Sequence, residues 1–209
     1  MHKSPINQQA LKKKYGNEQV FVVPAKELSH IPDGYTKEKH DTAIYSKFDQ
    51  VGKYIYRYDA EGNRTFQQLI PYVIIYNPMT QKYLAYERTN GDSRLNHKYS
   101  LGFGGHIDIS DGSQEVIFKG MSRELMEEVY YVNTSPAEFI GYVRSITCET
   151  GEHTGLAFLL RVSEATIRET DKHKGVWLSA TELEENYFKF EEWGKLLIDY
   201  LVTHNYQLV

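Results

Sequence analysis

The run Arg123-Glu124-Leu125-Met126-Glu127-Glu128 places three carboxylates at i, i+3 and i+4. In a helix those three side chains share one face. Two such charges about 6 Å apart repel by roughly 3 kcal/mol at an effective dielectric near 20. On a solvated isolated helix the penalty falls to about a few tenths of a kcal/mol. Taken alone, the run reads as a solvent-facing helix with Arg123 and Glu127 as an i, i+4 ion pair. If the face is shielded from water, one arginine cannot neutralise three acids, and a hard divalent cation is the fitting partner. Carboxylate oxygens suit Mg²⁺ or Mn²⁺ better than Zn²⁺, which prefers His and Cys.

The residues upstream change the weight of that reading. Gly104-Gly105 follows the extended stretch Lys98-Tyr99-Ser100-Leu101, and seven residues separate Glu115 from Arg123. The segment resembles the Nudix hydrolase family, whose signature runs Gly-x5-Glu-x7-Arg-Glu-U-x-Glu-Glu-x-Gly-U, with U a bulky apolar residue. Glu115, Arg123, Glu124, Leu125, Glu127 and Glu128 fall in its register. Two positions depart from it. Nine residues separate Gly105 from Glu115 instead of five, and Tyr130 stands where the late glycine belongs. Asp111 or Ser113 can cap a helix that starts near Ser113. With no glycine to stop it, the helix is expected to run to about Asn133, which tolerates a left-handed backbone.

The resemblance implies an α+β fold, a Nudix-like α/β/α sandwich with a mixed central sheet. It implies Glu124, Glu127 and Glu128 as ligands of Mg²⁺ or Mn²⁺, joined by the Gly105 carbonyl, with Glu115 and Arg123 mainly structural. The reaction it implies is hydrolysis of a diphosphate linkage in a nucleoside diphosphate linked to another moiety. The signature leaves the general base open among Glu128, Glu149 and Glu152. Cations before the glycine pair, Arg88, Arg94, His97 and Lys98, are candidates for phosphate binding, arginine through its bidentate fork. His106 either touches metal or phosphate or hydrogen-bonds its own loop. The stretch ERTNGDSRLNHKYSLGFGGHID is similar to a bacterial branch of the family described as phosphoesterases, which names no substrate.

Composition bounds the partners. The chain has 209 residues, 41% of them hydrophobic, enough for a proper core. A net charge of −4 with no long basic tract argues against a nucleic-acid backbone as main partner. Lys12-Lys13-Lys14 is a short, solvated run. No stretch approaches the roughly 20 apolar residues of a membrane span, and the N-terminus lacks the apolar core of a signal peptide. A cytoplasmic protein is expected. Cys148 is the single cysteine, so no intrachain disulfide forms.

Periodicity places strands at residues 19–23, 53–58, 69–76, 82–87, 101–103, 139–146, 155–162 and 176–178, and helices at 180–185 and 191–204. Residues 67–209 read as the catalytic domain. Residues 1–66 read as a strand-containing extension that adds to the sheet, covers the site, or pairs with a second copy in a homodimer. Tyr54, Tyr56, Tyr72 and Tyr99 are candidates for stacking on a base. Two other readings remain at this point. One is a nucleotide-sensing module that kept the fold and lost catalysis, against which the three intact glutamates speak. The other is an isopentenyl-diphosphate isomerase-like activity, which needs a cysteine near the glycine pair, where Cys148 does not lie.

Overall fold

Leu69 to Tyr76 is apolar at almost every position because both faces of its strand are covered. In the computed structural model, Leu69, Val73 and Ile75 join one hydrophobic cluster while Tyr72 and Ile74 join another on the opposite face. A strand buried on both sides loses the alternation of a half-exposed one. The structure describes residues 8–38, 42–88, 98–145, 151–168 and 173–204.

In chain order the elements are α1 (Gln8–Tyr15), β1 (Gln19–Pro24), β2 (Gly34–Lys37), α2 (Thr42–Val51), β3 (Lys53–Tyr56), α3 (Arg57–Ala60), β4 (Phe66–Asn77) and β5 (Lys82–Arg88). There follow β6 (Tyr99–Ser100), β7 (Gly102–Phe103), α4 (Val116–Glu128), β8 (Val129–Asn133), β9 (Glu138–Arg144), β10 (His153–Ile167), β11 (His173–Ser179), α5 (Ala180–Glu185) and α6 (Glu192–Thr203). The strands form one mixed sheet with the central order β11-β5-β4-β10-β9-β2. β4 and β10 run parallel at its centre, with Leu156 beside Pro71 and Leu159 beside Ile74. β4 and β5 form the expected hairpin.

Helices cover both faces, which makes the α/β/α sandwich that the sequence implied. On one face α4 buries Val116, Ile117, Met121 and Leu125, and α2 buries Tyr45 and Phe48 in the same cluster. On the other, Leu183 of α5 and Leu197, Ile198 and Leu201 of α6 pack on Ile140, Val143 and Leu159.

The extension adds strands to the sheet. β1 pairs with β4 through Val22 and Gln68, and β2 pairs with β9 through Tyr35 and Val143. Phe21, Val23, Leu28 and Ile31 share the cluster that holds α4.

α4 differs from its expected span at both ends. It starts at Val116, because Glu115 adopts a left-handed backbone with φ 54° and gives no side-chain cap. The cap comes instead from Asp49 of α2, whose Oδ2 accepts from Glu115 N at 2.7 Å and whose Oδ1 accepts from Val116 N at 3.3 Å. A carboxylate there satisfies helix donors and favours the positive end of the helix dipole. At the other end the helix stops at Glu128, and Val129 goes directly into β8 against β10. Pairing with β10 replaces the missing glycine stop, so Tyr130 sits in a strand, with Arg168 stacked 3.7 Å from its ring centroid.

Replacing Asp49 by Ala should lower stability by about 1 kcal/mol through loss of the cap. Urea denaturation reads that change directly, and an unshifted midpoint would show that the α4 terminus needs no donor from the extension.

Candidate active site

The glycine pair lies over the acidic face of α4. Gly104 has φ 140°, and a Cβ there would lie 1.9 Å from the Pro71 carbonyl oxygen, so only glycine fits. Its N–H donates to Glu128 Oε2 at 3.1 Å. A Cβ at Gly105 would lie 2.7 Å from the Glu124 carboxylate, which places the backbone of Gly105 directly against that group. Two of the three expected ligands therefore meet the Gly104-Gly105 loop. Glu127 lies at the rim, with its side chain 59% exposed and Oε1 at 3.7 Å from Arg123 Nη1. The three glutamates do not bring their oxygens within 4.8 Å of one another.

Arg123 organises this arrangement. Its Nε and Nη2 donate to Asp111 Oδ1 and Oδ2 at 3.1 and 3.0 Å, Nη2 also donates to the His106 carbonyl at 2.8 Å, and Nη1 donates to Glu124 Oε1 at 2.7 Å. One guanidinium thus ties the loop to the helix and holds Glu124 under Gly105. The bidentate contact with Asp111 raises the arginine pKa still further. Burial raises the Glu124 pKa above the ordinary carboxylate value, outweighing the pull of Arg123. A carboxylate still short of positive charge beside an arginine is a fitting place for a cation.

The arginine's acid partner is not Glu115. Glu115 is exposed at the start of α4, and its backbone N–H is the group engaged by Asp49. Asp111 follows Gly105 by five intervening residues, the family's spacing, and its side chain is 4% exposed. The extra residues of this loop are therefore Gly112-Ser113-Gln114-Glu115, inserted after the arginine's partner. Asp111 also accepts from Asp108 N at 2.9 Å, which closes a short helical turn over Ile109–Asp111.

The extension holds the lengthened loop in place. Phe21 N–H donates to the Ile107 carbonyl at 2.8 Å, and Tyr54 Oη donates to the Gly112 carbonyl at 2.7 Å. Tyr54 is thus occupied by the loop, and Tyr72 is buried with its hydroxyl on Glu191 at 2.9 Å. Tyr56 stacks on Tyr58, and Tyr99 meets Phe190 edge to face. Tyr54 and Tyr72 are thereby committed to contacts within the fold.

The His106 ring meets His153 at the start of β10. Its Nε2 lies 3.2 Å from His153 Nε2, and burial first, then Arg57 and His153, hold its pKa well below the imidazole range. Glu152, a candidate base, is buried and accepts from Gly62 N at 3.1 Å. Lys98 is half-buried beside β6. Arg88 ends β5 with its side chain outside the described residues, and Arg94, His97, Cys148 and Glu149 lie outside them entirely.

The residues of this arrangement that sequence reasoning missed are Asp111 and Asp49. Asp111 had a usable signal in its spacing from Gly105. Asp49 comes from a distant segment and carries none.

Asp111→Asn should cost about 3 kcal/mol, because it leaves Arg123 facing a neutral amide in a partly buried pair. Glu115→Gln should stay within about 0.5 kcal/mol. Thermal or urea unfolding of the two variants compares them, and equal losses would contradict the assignment of Asp111 as partner.

No family model matches the chain. It is similar to the protein YmaB of Bacillus subtilis (strain 168), at 28% identity over 204 residues, covering 88% of this chain and 98% of YmaB. Among solved structures, DR0079 from Deinococcus radiodurans shares the fold, with TM-score 0.52 and 14% identity over 88% of this chain and 98% of that one. Tm1382, a protein provisionally assigned to the Nudix hydrolases, superposes with TM-score 0.76 and 30% identity over 90% of this chain and 100% of its own. With that degree of identity along the whole of Tm1382, and with a glutamate helix set beneath a glycine pair, the chain belongs to the Nudix hydrolase family.

Proposed function

We propose that the protein is a Mg²⁺- or Mn²⁺-dependent pyrophosphohydrolase acting on a small, nucleotide-derived diphosphate. The observation that carries this reading is the convergence of Glu124 and Glu128 on the Gly104-Gly105 loop, with Arg123 locking loop to helix. The donors on offer are carboxylate and carbonyl oxygens, the chemistry of a hard cation that keeps several waters. Glu124, Glu128 and the Gly105 carbonyl would hold the metal, and Glu127 would reach it from the rim. When bound, Mg²⁺ or Mn²⁺ neutralises diphosphate charge and lowers the pKa of water.

The chain's own residues supply positioning and proton transfer. A water oxygen attacks phosphorus, the bridging P–O bond breaks, and the leaving phosphate departs with the bonding electron pair. The water's proton passes to a carboxylate. We assign this role to Glu128, whose Oε2 accepts from Gly104 N, over Glu152, whose carboxylate accepts from Gly62 N. Arg123 keeps Glu124 aimed at the Gly105 loop. Arg88, Arg94 and Lys98 are assigned to the phosphates of the substrate, arginine through its bidentate fork.

The test is phosphate or nucleotide release in Mg²⁺ or Mn²⁺ across nucleoside triphosphates, dinucleoside polyphosphates, nucleotide sugars, ADP-ribose, NADH and non-nucleotide diphosphates. Turnover of one class should fall by about 10²-fold or more in Glu128→Gln, the scale of losing a group that assists both proton transfer and charge stabilisation. Tight nucleotide binding with no turnover and no metal dependence would replace the hydrolase with a sensor.

A further inference from the structure

Next in sequence to the glycine pair lies a member of a second group of donors that the hydrolase reading does not use. His106 sits in the loop after Gly105, His153 opens β10, and Glu61 belongs to the turn after α3 in the extension. One ligand atom from each lies within 4.8 Å of the others. We propose that His106, His153 and Glu61 form a site for a borderline transition metal of the Zn²⁺ class, distinct from the carboxylate site on α4.

The donor set selects the metal. Two imidazoles and one carboxylate suit Zn²⁺ and its neighbours in the transition series, whereas the glutamates of α4 offer only oxygen to a hard cation. The distance agrees. Two nitrogens at about 2.0–2.1 Å from a tetrahedral Zn²⁺ lie about 3.3–3.4 Å apart, and the two Nε2 atoms are 3.2 Å apart. An imidazole pair sharing one proton would sit at a similar separation, but would not need the carboxylate at its side. With three protein ligands, water can occupy a fourth position.

The surroundings carry charge of the right sign. Arg57 is the cation facing the group, and it is already held by Glu18 at 2.8 Å and by Glu61 Oε1 at 3.1 Å. Two carboxylates thus stand against one guanidinium, and Glu61 keeps a second oxygen for a metal. Glu152, one residue from His153, fixes the Glu61 turn by accepting from Gly62 N. Glu61 also lines an open cleft with Gln8, Asp59, Gly62, Asn63 and Arg64, so this donor is reached from solvent.

A metal here would join three segments that are distant in sequence: the extension, the glycine loop and the start of β10. Its first effect would be on stability, since an ion that binds only the folded chain raises the unfolding temperature as its concentration rises.

The experiment uses the full chain freed of metal by chelation, then titrated with Zn²⁺ by calorimetry and with Co²⁺ by visible absorption. The expected result is one equivalent bound, intense d–d bands of a four-coordinate nitrogen/oxygen site, and an unfolding temperature that rises with Zn²⁺. His153→Asn should weaken binding by about 100-fold or more, above the loss caused by removing an outer partner alone. Glu61→Gln, at a partly exposed turn, should weaken it by about 10-fold or more and keeps the test open if the histidine variant does not fold. The double variant Glu124→Gln/Glu128→Gln should bind as the parent does, so failure of this site and failure of the hydrolase reading are separable. Absence of Zn²⁺ uptake, undiminished affinity in Glu61→Gln, or loss of binding in the double variant would overturn the proposal.

Discussion

The contacts of Arg123 hold the rest of the site together. The guanidinium spans Asp111, the His106 carbonyl and Glu124, so that one side chain fixes the loop before α4, the glycine pair and a proposed metal ligand relative to one another. Asp111 is almost fully buried, and its charge would be costly without this partner. Glu124 in turn is desolvated enough for its pKa to rise despite the arginine. Rigidity and an unmet demand for positive charge therefore arise from the same few atoms, which is the condition under which a binding site comes preorganised.

The extension is part of that device. The loop between Gly105 and α4 is longer than the family signature allows, and a long loop loses more entropy when it is fixed. Here the extra residues are tied down from outside: Asp49 caps α4, Tyr54 holds Gly112, and Phe21 holds Ile107. Phe48 and Tyr45 of α2 pack in the same cluster as α4. The first third of the chain thus acts through β-pairing, capping and shared core together, and what it stabilises is the geometry above the glutamates.

Much of the fold was legible in the sequence because its signals were local. The apolar runs at residues 69–76 and 155–162 became the central parallel pair, and the helix at Ala180–Glu185 appeared with its Ser179 cap. The acidic run became α4 with Glu124 and Glu128 facing the glycine pair. What escaped was set by partners far away in the chain. α4 begins at Val116 because of an aspartate in α2, and it ends at Glu128 because β10 captures the following residues. α1, α2, α3 and β2 lie outside the elements that the sequence reading placed. Glu115 matched the signature by counting back from Arg123, whereas Asp111 matches it by counting forward from Gly105. An insertion between the two anchors makes both counts valid, and only the pairing of Arg123 decides between them.

A crystal structure grown with Mn²⁺ and measured for its anomalous signal tests the central claim most directly. The account predicts a peak bridging the Glu124 and Glu128 carboxylates and the Gly105 carbonyl, with Arg123 still paired to Asp111. A peak elsewhere, with Arg123 released from Asp111 or turned onto Glu115, would contradict it.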